Sequence, residues 1–395
     1  MQKYKVLCFF RELCVFLQSC FWCIGWCGIW CMAARSILKE KKKKSHMSKK
    51  DSERPIDFVI LYCDGSDPAF IAKRSKYLPV DSPEDDAETG VVRIRDYGTL
   101  PYWFRAVEQN APWVRKIHLV TDDQVPEWVV REHPKLHLVD LKDFIPEQYL
   151  PLFNSCAIEI FLHRIEGLSE QFVYFNDDTF LNASVTPGDF FKKGRPRLRF
   201  ELTNKYPLGL TSYYYHIYND MRLVNRLCTS VRGTFGLIRR SVGRAYGFKV
   251  SRDNFVLLAA RALTWSGFPY VRLSHQAEPM LRSVFEYLWE RFGDWFELTA
   301  SHRFREETDL NQEVFIRYSI CSGKFETSYR TYRYFSLSNE AETINDFIVN
   351  GRSQMLCVND SDVENYEDMV DSVKSAFQTR YPSSCSFEKE QAYSK

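Results

Sequence analysis

From residue 56 onward the chain alternates short apolar runs with segments of helical spacing, and that alternation confines it to an α/β architecture. The runs 57–63 (DFVILYC), 116–121 (KIHLVT), 136–141 (LHLVDL) and 172–176 (FVYFN) are apolar and rich in β-branched and aromatic residues. Such runs form strands buried on both faces. Between them, 100–110, 127–132 and 157–165 read as helices. The expected fold is therefore a mainly parallel sheet with helices on both faces. Two later helices are predicted, over 280–292 after Pro279 and over 363–380, where Val363, Tyr366, Val370, Val373 and Phe377 recur at helical spacing. Residues 196–267 read as a mostly helical insertion, and no internal repeat is visible.

Of 395 residues, 45% are hydrophobic, so the chain can bury a large core. The net charge of +2 hides an asymmetry: after position 50 there are 42 basic and 49 acidic residues, and the positive surplus lies at the N-terminus. A nucleic-acid binder would show a basic folded body, so that class is excluded. Six of the 12 cysteines fall within the first 31 residues; the rest are scattered singly, as expected of buried thiols in a reducing compartment.

Residues 13–34 form an uncharged stretch of 22 residues, long enough to span a bilayer, with charge +2 before it and +7 after it. The heavier positive flank places the body in the cytoplasm and argues against a cleaved signal peptide. Trp22, Trp26 and Trp30 share one helical stripe and Cys20, Cys23, Cys27 and Cys31 the next, read as lipid- or partner-facing packing. The expected organisation is a membrane segment within 1–34, a basic linker over 35–55 and a catalytic body over 56–395. If translation starts at Met47, the spanning segment is absent and the protein is cytoplasmic.

In a parallel sheet, ligands bind beyond the carboxyl ends of the strands. Two acidic clusters stand there: Asp64-Gly65-Ser66-Asp67 after the first strand and Asn176-Asp177-Asp178 after the fourth. Each is either part of a divalent-metal site facing a diphosphate or an Asx-turn leaving the strand. Glu159 and His163, four apart on a predicted helix with Arg164 adjoining, form a catalytic pair or a surface ion pair. His275 follows an apolar run in a loop where it could reach the rim, Arg303 and Arg305 occupy a later loop, and Asn359-Asp360 precede the last helix as site residues or as a turn and cap.

Three segments then point to one family: IDFVILYCDGSDP (56–68), RDYGTLPYWFRAVEQNAPWVRKIHLVTDDQVPEW (95–128) and FNSCAIEIFLHRIEGLSEQFVYFNDDTFL (153–181). They closely resemble the first two blocks of the Stealth family, bacterial capsular polysaccharide phosphotransferases similar to the catalytic subunit of lysosomal N-acetylglucosamine-1-phosphotransferase. Weaker matches over 267–312 and 355–373 resemble its third and fourth blocks. The resemblance implies a Rossmann-like, nucleotide-sugar-binding fold. It also implies transfer of a sugar 1-phosphate from a UDP-N-acetylhexosamine or UDP-hexose to a saccharide hydroxyl, giving a phosphodiester-linked polysaccharide at the inner membrane face.

By that resemblance His275, Arg305, Asp178 and Glu159 are catalytic, with His275 as the base. Asp64, Asp67, Arg95, Asp96, Asn176, Asp177 and Asn359 contact substrate, and His163 joins them as the alternative base on the Glu159 helix face. Asp178 and Asp360 hold Mg²⁺ or Mn²⁺. The family's glycine in an Asp-Gly-Gln turn is Asp123 here, and its proline two positions after the histidine is Pro279, four after His275. The rival readings are a metal-dependent glycosyltransferase releasing UDP and a membrane-tethered glycan-binding protein without chemistry.

Overall fold

The computed structural model describes residues 54–78, 94–204, 212–230, 232–243, 245–264 and 267–390. The predicted spanning segment 13–34 lies outside them. Among the described residues no helix is long and apolar enough to cross a membrane.

The predicted strands form. β1 (Ile56–Leu61), β2 (Ile117–Thr121), β3 (Leu136–Asp140) and β4 (Gln171–Phe175) are neighbours in one five-stranded sheet, with β4–β1–β2–β3 parallel throughout. Its fifth strand, β6 (Glu278–Leu281), runs antiparallel along the outer edge of β4. A second sheet completes the rim. β5 (Thr179–Leu181) turns directly out of β4 and pairs antiparallel with β8 (Met355–Asn359), which pairs parallel with β7 (Tyr332–Ser336). The chain is thus a mixed α/β protein with several sheets.

Helices cover β4 on both sides. Phe172 and Phe175 project to opposite faces of the strand; Phe172 meets Phe285 of α4 (Arg282–Ala300) and Phe175 meets Trp103 of α2 (Leu100–Asn110). α2 presents Trp103, Phe104 and Val107 to a core shared with Val370, Val373 and Phe377 of α7 (Tyr366–Arg380). Further helices of this region include α1 (Pro68–Ser75), α3 (Ser155–Glu159), α5 (Glu313–Cys321) and α6 (Ala341–Val349).

Two predicted helices differ. Residues 127–132 form turns, and Val129 bridges Glu388 instead; a segment between Pro126 and Pro134 is too short to gain more from helix than from that pairing. The helix expected over 157–165 breaks: α3 ends at Glu159, and a 3-10 turn, Leu162–Arg164, follows. The Ile160 carbonyl, which would have accepted the bond from residue 164, takes the Trp289 indole N–H at 2.9 Å, while the Arg164 N–H turns to Phe161.

Within 196–267 the chain is largely helical, over Ser212–Leu227, Arg232–Ser241 and Gly247–Thr264. It divides between two compact units. The first of these helices belongs to the larger unit, where buried Asp220 accepts from Arg317 at 2.6 Å. The smaller unit, over 200–204 and 229–272 among the described residues, pairs Glu201–Thr203 with Tyr270–Arg272. Buried Asn254 ties it together, donating to the Phe200 and Ser241 carbonyls at 2.8 and 2.9 Å and accepting from the Leu202 N–H at 2.7 Å.

Candidate active site

The carboxyl ends of β1, β4 and β8 converge because β5 reverses out of β4 and lays β8 beside it. The Val358 N–H donates to the Asp178 carbonyl at 2.9 Å, so the Asn176-Asp177-Asp178 turn and the Asn359-Asp360 turn share one rim. The segment 95–97 is bolted across it: Tyr62 at the end of β1 donates to Asp96 (2.8 Å) and Tyr97 donates to the Val358 carbonyl (2.6 Å). Sequence positions far apart therefore meet at one place.

His275 stands three residues before β6 and extends over the rim. Its Nε2 lies 3.0 Å from Asp178 Oδ2, and the Asn176 amide nitrogen is 3.3 Å from the same ring nitrogen. The side chain remains 38% exposed. Its burial opposes the charged ring, but the Asp178 carboxylate outweighs that and raises the pKa to about 9, so the ring carries a proton at neutral pH. Asp178 Oδ2 also accepts from the Cys357 thiol at 3.2 Å. Burial, reinforced by Asp178, pushes that thiol well up. Asp177 is exposed on the rim; partial desolvation and the charges of Asp178 and Asp96 raise its pKa.

Arg95 sits over the Tyr366 ring, its guanidinium carbon 4.1 Å from the centroid, and donates from Nε to Asp360 Oδ2 at 3.0 Å. The other carboxylate oxygen, Asp360 Oδ1, is buried without a hydrogen-bond partner. Asn359 donates to the Asp360 carbonyl at 2.6 Å and so shapes the turn. Asp178, Asp177 and Asp360 offer hard oxygen donors, and the orphaned Oδ1 is an unused ligand atom, so the residues present fit Mg²⁺ or Mn²⁺.

A shallow, solvent-open cleft runs from the end of β1, lined by Tyr62, Cys63, Phe153, Gln124 and Arg305 among others. Arg305 donates to Ser155 at the start of α3, at 2.6 Å. Below it, buried Glu159 accepts from Tyr174 at 2.9 Å, and burial pushes its carboxyl up to about 7 against the opposing pull of that hydroxyl and of Arg305. Glu159 is thus held behind the cleft by Tyr174 and by the charge of Arg305, which lines it.

Several expected residues do other things. His163 is not on one helix face with Glu159, because the helix ends between them; it packs on Phe285 and Trp289, and burial lowers its pKa to about 4. Asp64 accepts from the N–H and hydroxyl of Ser66 (2.8 and 2.6 Å) as an Asx-turn, and Asp67 caps α1 through the Ala69 N–H at 2.9 Å. Gln124 clamps that turn, accepting from the Asp64 N–H and donating to its carbonyl. Arg303 stacks over Tyr77 and Arg164 over Phe161 and Trp289. Sequence reasoning missed Cys357, Tyr62 and Gln124. A thiol in an apolar strand two residues before an Asn-Asp turn was the available signal for Cys357, and the family's Asp-Gly-Gln turn was the signal for Gln124; Tyr62 carried none.

Comparison with known proteins decides the relationship. Residues 93–198 match Stealth protein CR2, conserved region 2, and residues 274–312 match Stealth protein CR3, conserved region 3. The exopolysaccharide phosphotransferase cps2G of Lactiplantibacillus plantarum is 33% identical over 85% of this chain and 96% of its own length. The chain belongs to the Stealth family of phosphotransferases. The receptor polysaccharide phosphotransferase WefC of Streptococcus oralis is 35% identical over 84% of this chain and 99% of its own. A capsular polysaccharide phosphotransferase WcwK of Streptococcus pneumoniae is 34% identical over 85% and 99%. The two Stealth regions contribute Arg95, Asp96, Glu159 and Asn176–Asp178 from one, and His275 and Arg305 from the other.

Proposed function

We infer that this phosphotransferase moves a hexose or N-acetylhexosamine 1-phosphate from a UDP-sugar to a saccharide hydroxyl, building a phosphodiester-linked capsular polysaccharide or exopolysaccharide. The observation that carries this reading is the His275–Asp178 pair on a rim also lined by Asp177, Asp360 and Arg95. A proton acceptor set among carboxylates and next to guanidinium groups suits attack on a diphosphate.

The donor diphosphate would lie across the rim, with its nucleoside end in the cleft beside Tyr62 and Phe153 and Arg305 neutralising equatorial phosphate oxygens. Mg²⁺ or Mn²⁺ held by Asp178 and Asp360 would supply charge neutralisation at the diphosphate. His275 Nε2 takes the acceptor hydroxyl proton, the freed oxygen bonds to the sugar-proximal phosphorus, and the bond between the two phosphates breaks to release UMP. The ring must enter this step neutral, so it serves as base when the Asp178 carboxylate is engaged away from it. We place the body at the cytoplasmic face of a membrane crossed by residues 13–34.

The nucleotide released tests the reaction. Stoichiometric UMP with a phosphodiester signal in phosphorus NMR of the product is expected. Stoichiometric UDP with a phosphorus-free product would replace this reading by glycosyl transfer.

A further inference from the structure

Cys357 brings a soft ligand to the rim. Asp178, His275 and Cys357 each offer one ligand atom, and the three atoms lie within 4.8 Å of one another. Two edges of that triangle are short: His275 Nε2 to Asp178 Oδ2 at 3.0 Å and Cys357 Sγ to the same oxygen at 3.2 Å. Tetrahedral zinc with sulfur, nitrogen and oxygen ligands at roughly 2.0–2.3 Å needs ligand atoms about 3.2–3.6 Å apart, so these two edges lie within a few tenths of an ångström of that spacing and the third, at most 4.8 Å, closes by a rotation of the His275 side chain.

Two of the three ligands are fixed by the sheet. Cys357 is paired with Thr179 across β8 and β5, and the Asp178 carbonyl is held by the Val358 N–H. His275 comes from a separate loop, and its partial exposure leaves the fourth position facing solvent. Three protein ligands with one open position is a common arrangement for zinc. The set differs from what Mg²⁺ requires, which is octahedral oxygen coordination, and a thiolate with an imidazole favours a thiophilic ion instead.

We propose that Asp178, His275 and Cys357 form a site for Zn²⁺, and that its occupation inhibits the enzyme by withdrawing His275 and Asp178 together. Zinc binding stands on this geometry alone, while the inhibition rests on the functional reading given above. On binding, the thiol and imidazolium protons leave to bulk water and the three side chains become ligands.

Co²⁺ reports such a site directly through a thiolate-to-metal charge-transfer band and the visible bands of tetrahedral cobalt. The full-length chain would be used with the six cysteines of its first 31 residues replaced by serine, so that they do not bind metal. One equivalent of Co²⁺ with both signatures, displaced by Zn²⁺, is expected. Cys357→Ser should abolish the charge-transfer band and weaken Zn²⁺ binding on the order of 10²-fold or more, since even residues supporting metal ligands cost 10–100-fold. His275→Gln, at a half-exposed position, should weaken binding without disturbing the fold, whereas Cys63→Ser should leave the spectrum unchanged. No thiolate band in the parent chain, or a band that survives Cys357→Ser, would overturn the site. Zn²⁺ should also suppress Mg²⁺-supported turnover over the range in which it displaces Co²⁺. Measured against its own zinc-free rate, Cys357→Ser should need on the order of 10²-fold more Zn²⁺ for the same suppression. A parent chain that binds Co²⁺ through Cys357 yet turns over no UDP-sugar would remove the functional reading and leave the site. Turnover unaffected by saturating Zn²⁺ would remove the inhibition.

Discussion

His275 Nε2 lies 3.0 Å from Asp178 Oδ2, so the ring and the carboxylate behave as one unit and neither can be altered alone. If His275 removes the acceptor proton, His275→Ala should lower kcat on the order of 10²–10⁴-fold with a much smaller change in donor KM. Steady-state kinetics with the donor varied would check this. Turnover close to that of the unaltered enzyme would exclude His275 as the base, and His163, buried among aromatic rings with a lowered pKa, is not positioned to replace it.

Asp360 differs from Asp178 in having Arg95 as its partner, with one oxygen bonded and the other unused. Asp360→Asn keeps the shape but removes the charge that both Arg95 and a divalent ion would meet. The Mg²⁺ or Mn²⁺ concentration for half-maximal activity should rise at least tenfold, with maximal rate falling less than in Asp178→Asn. Titrating activity with metal for both variants separates the two roles; identical metal dependence in Asp360→Asn and the parent enzyme would remove Asp360 from the ligand set.

The apolar run 13–34, with +7 on its C-terminal side, should carry the full chain into the membrane fraction, and a chain beginning at Met47 should remain soluble and active. Fractionation followed by donor turnover in each fraction reads both. A folded but inactive shorter chain would give the N-terminal segment a part in catalysis.

What could be read from the sequence was what local chemistry dictates. β1, β2 and β4 are legible as apolar runs because each is buried on both faces, β3 because Leu136 and Val139 are buried even at the sheet edge, and α7 because Val370, Val373 and Phe377 repeat with the helix period. The acidic turns after β1 and β4 were equally plain in position, yet Asp64 and Asp67 direct their carboxylates into a turn and a cap while Asp178 reaches His275. Composition cannot distinguish those fates. Tertiary partners decided the remainder: the Trp289 indole ends the helix at Glu159, Glu388 draws Val129 out of helix, and Cys357 meets Asp178 through a strand pairing three residues long.

Asp123 has φ +58°, the left-handed region that favours glycine, at the position where the family's turn carries Gly. Asp tolerates this conformation better than a β-branched residue, whose Cβ meets backbone there. Asp123→Gly should therefore be neutral to stabilising by up to about 1 kcal/mol, its gain offset by the greater freedom of glycine in the unfolded chain. Asp123→Val should cost about 1–3 kcal/mol. Urea denaturation of the three proteins gives the order; a valine variant as stable as the parent would show that the turn relaxes.

Asp57, the second residue of β1, is fully buried at 0% exposure, near the end of the strand opposite the catalytic rim. Its carboxylate accepts from Arg115 Nε at 2.7 Å and from the Ser169 N–H at 2.8 Å; His118 Nε2 lies 3.1 Å away, and Arg115 Nη2 makes a further close contact. Burial alone would favour the neutral acid, but these donors together outweigh it and lower the pKa from 3.8 to about 2. A carboxyl more acidic in the folded than in the unfolded chain contributes stability that is complete above the unfolded value and lost as pH falls through the folded one. That contribution is about 2 kcal/mol, present at neutral pH and lost between about pH 4 and pH 2. Asp57→Asn should cost about 3–5 kcal/mol at pH 7 because it leaves the Arg115 guanidinium without its counter-charge and puts an amide where the carboxylate met the Ser169 N–H and the His118 ring. It should also flatten the fall in stability between pH 4 and pH 2. Denaturant midpoints for both proteins across that range measure the effect, and parallel curves would show that another carboxylate carries the acid sensitivity.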